Sequence, residues 1–259
     1  MTSSERPLIL VHGVPDTKAL WDGVVAELRE TRRDVHAMEL PGFGVPLPSG
    51  FACTKEAYAA WLAEQAKPIA EAKGPVDIVG HDWGALLTLR VVSLNPDWFA
   101  SWAISGATLH ESYGGHLMAR IWATPVLGEI AMALSSPSFV RRVLTRNGMP
   151  PDLVEKEVAA NSEVMRSAIL KLYRSARGLR IHGEWLDELA SLPAKGMALW
   201  GAHDPYVRVE TAKLFAEKQG VPLKIHDGAG HWVVAQQPAW IAKHLHAFWD
   251  EQERGGPHA

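Results

Sequence analysis

Gly80-His81-Asp82-Trp83-Gly84 is the stretch of this sequence that most narrows what the chain can fold into. An apolar run, Val76-Asp77-Ile78-Val79, leads into it, and a helical pattern over 84–94 leaves it. Two glycines flanking a central triplet permit a sharp strand-to-helix turn that holds one side chain at its apex, above the sheet. Serine is the usual occupant of such an apex; here it is Asp82. A carboxylate there can attack carbon directly and form a covalent ester, dividing one hard step into two. A glycine-bounded turn whose aspartate merely caps the helix has the same local pattern, so the rest of the chain has to separate the two readings.

The surroundings of that turn repeat its logic. Pro7–Gly13 is an apolar run ended by glycine, and Val35–Leu40 is stopped by Pro41-Gly42. Further strands are expected over Val76–Gly80, 99–107, 196–201 and 222–226. Helical periodicity covers 18–32, with Leu20, Val24 and Leu28 on one face, then 84–94, 208–219 and 238–251. Thr54–Lys73 also reads as a helix, with Thr54 as N-cap, Gly74 at its end and a kink or break expected at Pro68. Strands alternating with helices predict an α/β fold: a mostly parallel sheet with helices on both faces. Residues 110–192 contain no convincing strand and are punctuated by Pro125, Pro137, Gly148 and Pro150-Pro151. They are expected to form a helical cap inserted between two strands, leaving 1–109 and 193–259 as the core domain. Such a cap would lie over the carboxyl ends of the strands, where open α/β sheets bind ligands.

Two later motifs bear on Asp82. Trp200-Gly201-Ala202-His203-Asp204-Pro205 places an acid just after the fifth strand, and Gly228-Ala229-Gly230-His231-Trp232 a histidine after the sixth. An acid beside a histidine fixes its tautomer and stabilises the imidazolium. The order Asp82, Asp204, His231 is that of nucleophile, orienting acid and base. The loop His12-Gly13-Val14-Pro15 follows the first strand. The backbone N–H groups of Val14 and Trp83 are the expected oxyanion hole, with His12 as a brace for the loop or a pocket residue.

With 259 residues, 47% of them hydrophobic and 21% charged, the chain has a globular composition. Its formal charge of −3 suggests no nucleic-acid or membrane partner; Arg32-Arg33 is the one notable basic cluster in the first half. The single cysteine, Cys53, allows no internal disulfide. Neither a signal peptide nor a spanning segment is visible, so a cytoplasmic protein is expected. The histidines form no ligand cluster, so neither a metal nor another cofactor is expected. A homodimer is compatible with the sequence.

The motifs His12-Gly13-x-Pro15, Gly80-His81-Asp82-Trp83-Gly84-Ala85, Gly201-x-x-Asp204-Pro205 and Gly230-His231-Trp232 together resemble those of the epoxide hydrolases of the α/β-hydrolase superfamily, relatives of the haloalkane and haloacetate dehalogenases. The resemblance covers most of the chain and is weakest in the insertion. It implies opening of an epoxide to a vicinal diol through an Asp82 ester, with His231 activating water. Relatives carry two cap tyrosines that donate to the epoxide oxygen; Tyr173, in Leu172-Tyr173-Arg174, and Tyr113, in His110-Glu111-Ser112-Tyr113, match those segments. The eleven tryptophans and the apolar insertion point to a small hydrophobic epoxide, with Trp122, Trp185 and Trp232 as pocket candidates beside His12. Two alternatives remain: a haloalkane or haloacid dehalogenase using the same Asp82, and a ligand-binding protein with a dormant site. Where haloalkane dehalogenases have asparagine after His-Gly, this chain has Val14. Where haloacetate dehalogenases have arginine after the nucleophile, it has Trp83. Few residues precede the first strand, where relatives have a further hairpin, so a smaller sheet is expected at one edge.

Overall fold

The computed structural model describes residues 6–32 and 34–254. The outermost parts of the expected core domain, 1–5 and 255–259, and Arg33 lie outside it. Six strands form one sheet: β1 (Leu8–Val11), β2 (Val35–Met38), β3 (Val76–His81), β4 (Phe99–Ser105), β5 (Gly196–Gly201) and β6 (Leu223–His226). Their order is β2-β1-β3-β4-β5-β6, and every pairing is parallel. The chain moves outward from β1 to β2, then returns to place β3 on the other side of β1. The crevice between the carboxyl ends of β1 and β3 is therefore the switch point at which such sheets bind ligands.

Helices cover both faces because both faces of the strands are apolar. Ile9, Val11, Ile78, Trp102, Ile104, Ala198 and Trp200 pack into one core. Their neighbours Leu8, Leu10, Val79, Ala103, Met197 and Leu199 pack into the other, as the alternation of side chains along a strand requires. The second core holds α1 (Asp22–Leu28) against the C-terminal α12 (Pro238–Arg254), with α11 (Val233–Gln236) beside them. The first takes α2 (Lys55–Lys73), α3 (Trp83–Leu94) and α10 (Val209–Gln219). Thr54 caps α2 by accepting from the Ala57 N–H (3.2 Å), and Gly74 ends it at φ +80°. Contrary to expectation, α2 runs through Pro68 without a break. The expected helix over 18–32 is a 3₁₀ turn, Lys18–Trp21, followed by the shorter α1. Arg32 is no binding surface: its guanidinium meets the buried Asp77 carboxylate at 2.6 Å.

Between β4 and β5 the described residues form helices and no strand: α4 (Leu117–Ala123), α5 (Leu127–Leu134), α6 (Pro137–Arg146), α7 (Pro151–Ala160), α8 (Glu163–Ser175) and α9 (Glu184–Asp187). The prolines named above mark the joints. Pro137 and Pro151 occupy first-turn positions, where a missing N–H costs no helical hydrogen bond.

Candidate active site

The turn after β3 brings Asp82 to the switch point at φ +50°, a left-handed conformation that non-glycine residues hold only under restraint. The flanking glycines supply the room. A Cβ on Gly84 would collide with the carbonyl oxygen of Val11, and one on Gly80 with the carbonyl of Gly84. The Asp82 side chain makes no capping bond to α3. Its Oδ1 accepts instead from the Val14 N–H across the sheet (2.8 Å), and the Trp83 N–H also favours its anion. Helix capping is thus not what this aspartate does.

Oδ2 faces His231, whose Nε2 lies 3.6 Å away. The Nδ1–H of His231 donates to Asp204 Oδ2 (2.9 Å). Asp204 is held in turn, its Oδ1 accepting from the N–H groups of Tyr206 (2.8 Å) and Val207 (3.0 Å). Burial disfavours a charge on His231, but the carboxylates of Asp204, Asp82 and Asp16 outweigh it and push its pKa up to about 9. Burial raises Asp82, against the pull of His231 and the two N–H groups. The three residues that the sequence separates by up to 149 positions thus form one buried, charge-coupled chain.

Asp82 and His231 open onto a cavity of about 170 Å³. Val14, Trp232, Tyr173, Trp122 and His116 line it with them. Among the described residues no lysine or arginine lines it. Tyr173 is buried and sets its ring edge against Trp83 and Trp122 at 5.4 and 5.0 Å. Desolvation and the Asp82 charge hold its phenol protonated.

Tyr113 is placed differently from its expected partner. Its hydroxyl donates to the carbonyl of Tyr206 (3.2 Å) and accepts from the His116 N–H. It borders a separate chamber of about 10 Å³, barely one water in size, on another side of Asp82. Two of the pocket candidates also lie away from the main cavity. His12 accepts from the Leu40 N–H at Nε2 (3.0 Å), so its Nδ1–H donates to Gly13 O (2.8 Å). Burial lowers its pKa to about 4, leaving a neutral brace under the loop after β1. Trp185 is buried under Lys55 and Arg90, whose cations lie 4.6 and 5.4 Å from its ring.

Three site residues went unnoticed in the sequence. His116 caps α4: its Nδ1 accepts from the Ala119 N–H (3.1 Å), which leaves the proton on Nε2. Burial, assisted by His231, brings its pKa down to about 4. It is therefore a neutral N–H donor in the cavity wall. Tyr206, two residues beyond Asp204, packs 4.8 Å from the His231 ring and accepts from Asn147 Nδ2 (2.7 Å). Asp16, next to Pro15, is fully buried and accepts from the Trp232 indole (2.9 Å); burial and Asp82 raise its pKa. Close by, the buried Glu157 of α7 accepts from both the N–H and the hydroxyl of Thr17 (3.1 and 3.0 Å). A histidine three residues after Tyr113, a tyrosine two after Asp204 and an acid after His-Gly-x-Pro were the available signals, and each is weak alone.

Sheet, elbow and acid–histidine pair define an α/β hydrolase. The family model described as "Alpha/beta hydrolase family" matches residues 8–244, and the chain belongs to that family. Among solved structures it is similar to a Pseudomonas aeruginosa protein provisionally assigned as an epoxide hydrolase (22% identity, 98% of this chain and 91% of that one, TM-score 0.77). It is similar also to a thermophilic esterase from Thermogutta terrifontis (19%, 97% and 92%, TM-score 0.75). A third is 2-hydroxy-6-oxo-6-phenylhexa-2,4-dienoate hydrolase from Rhodococcus sp. strain RHA1 (20%, 98% and 92%, TM-score 0.72). At these identities the likeness speaks for the fold alone.

Proposed function

We propose that this hydrolase opens a small hydrophobic epoxide to a vicinal diol through an ester on Asp82, with residues 110–192 acting as the cap over a core of 1–109 and 193–259. The observation that carries the reading is the split duty of one carboxylate: Asp82 Oδ1 accepts from the Val14 N–H while Oδ2 faces His231. Oδ2 attacks an epoxide carbon, the carbon–oxygen bond breaks, and the alkoxide takes a proton from a donor in the cavity wall. Tyr173 and His116, both in that wall, are the donors we assign to it. Esterification removes the Asp82 charge, one of the causes that keep His231 protonated. His231 thereby gives up its proton, which restores the donor that protonated the alkoxide, and becomes a base only once there is an ester to hydrolyse. It takes a proton from water, the hydroxide attacks Cγ of Asp82, and the Val14 and Trp83 N–H groups hold the oxyanion; its collapse breaks the Cγ–Oδ2 bond, the diol leaves with the proton of the added hydroxyl, and the carboxylate is restored.

A cavity without a cationic side chain does not suit a haloacid, whose carboxylate needs a counter-charge. A haloalkane remains the second reading on one observation: the indoles of Trp83 and Trp122 flank Tyr173, and the Trp122 N–H has no partner among the described residues. Single-turnover hydrolysis in oxygen-18 water tests the ester, since the first product must carry an enzyme oxygen. Diol from an epoxide panel supports the first reading. Halide release from haloalkanes, with no diol from any epoxide, replaces it by the second.

A further inference from the structure

We propose that the outer face of α4, α5 and α6 docks this protein on an anionic lipid surface, with the mouth of the cavity turned toward the lipid. Six of the ten large apolar side chains exposed among the described residues lie on this one run of chain: Leu117, Val126, Leu127, Ile130, Leu134 and Phe139. On α5, Leu127, Ile130 and Leu134 follow a helical spacing and face outward, while Gly128 packs under Leu170 of α8. The only acid of α5, Glu129, is turned to Arg174 at 2.7 Å. An outward apolar stripe this dense serves no packing purpose within the chain.

The charges beside it choose the partner. Residues 117–146 contain Arg120, Arg141, Arg142 and Arg146 against Glu129 alone, a net +3 from 4 − 1 within a chain of net −3. On α6, Phe139, Arg142 and Arg146 stand at i, i+3 and i+7 and share one exposed face. Arg141, Arg142 and Arg146 border one shallow groove with Ser138 and Thr145; Arg141 also binds Glu155 (2.6 and 2.8 Å). Apolar side chains flanked by arginines match the acyl and phosphate layers of an anionic lipid interface. A second copy of the chain would set these same arginines against each other. Among the described residues no single helix is long and apolar enough to cross a bilayer, and α4 and α5 meet at 113°.

Phe139 joins the two regions: it is half exposed on this face and also lines the cavity. Met132 and Ser135 line the cavity from the other side of the same corner. A hydrophobic molecule dissolved in lipid would thus meet the cavity at the point of contact. The docking proposal stands independently of which bond Asp82 attacks.

Flotation of the full chain with vesicles tests it. Vesicles of mixed phosphatidylglycerol and phosphatidylcholine should carry the protein upward, pure phosphatidylcholine far less, and added salt should release it. Arg142→Gln/Arg146→Gln should lower partitioning roughly 30-fold. Leu127→Glu/Ile130→Glu, checked for native circular dichroism, should abolish it. The all-surface arginine pair keeps the test decisive if the second variant misfolds. No flotation with anionic vesicles, or flotation unchanged in the arginine variant, overturns the proposal. So does a concentration-dependent dimer, dissociated by Leu134→Glu in a protein that ignores vesicles, which would assign the face to a second copy.

Discussion

The backbone N–H of Val14 donates to Asp82 Oδ1 at 2.8 Å, across 68 positions of sequence. The group we propose to stabilise the oxyanion of the second step thus already holds the proposed nucleophile in the resting state. In that mechanism the same oxygen that the N–H fixes becomes negative when water attacks the ester. No donor has to move between the two steps, and a site organised in advance avoids reorganisation at the moment of reaction.

Asp82→Ala should abolish both ester formation and turnover. His231→Ala should form the ester and stop, with turnover falling by on the order of 10⁴. Intact-protein mass spectrometry would show the adduct accumulating in the histidine variant and none in the aspartate variant. An adduct on Asp82→Ala would place the nucleophile elsewhere.

The two tyrosines should separate. Tyr173→Phe removes a hydroxyl from the wall of the cavity that Asp82 also lines, and should slow ester formation by on the order of 10² or more. Tyr113→Phe removes a bond to the Tyr206 carbonyl, so it should cost about 1 kcal/mol of stability and leave ester formation within a few-fold. Stopped-flow alkylation and thermal unfolding measure the two effects. Equal losses of alkylation rate in both variants would restore the two-tyrosine donor pair.

His231 gives the pH dependence its sign. It is held protonated up to about 9 by Asp204, Asp82 and Asp16 against the cost of burial. Once Asp82 is esterified, one of those charges is gone and the pKa falls. Hydrolysis of the preformed ester should therefore rise with pH and level off at a midpoint below about 9. A rate that does not rise with pH anywhere below about 9 would show that His231 is not the base.

Glu157 should limit stability on the alkaline side. Burial and the nearby Asp16 raise its folded pKa above that of the unfolded chain. The folded state then binds more protons between those values, so stability falls as pH climbs from the ordinary glutamate range through the raised one. Glu157→Gln keeps an acceptor for Thr17 and removes the titration. Its melting temperature should exceed the parent's increasingly as pH rises. Parallel melting curves at every pH would show that Glu157 is already ionised in the fold.

The sequence by itself determined the frame of this protein. Apolar runs alternating with helical periods have one economical solution, a buried parallel sheet between helices, and glycines 80 and 84 leave room for only one kind of turn. Those signals are local, so Asp82, Asp204 and His231 could be picked out before any contact was known. Tertiary structure alone decided the wall facing them. Tyr113 and Tyr173 were both expected as donors over Asp82, yet the Tyr113 hydroxyl bonds a backbone carbonyl while Tyr173 lines the main cavity. His116 became a donor because capping α4 fixed its tautomer, and His12 became a brace because Leu40 claimed its acceptor. Pro68 was tolerated inside α2 for reasons a local pattern does not carry. Hydrogen-bond partners drawn from distant parts of the chain set these roles, and spacing along a sequence does not encode which partner arrives.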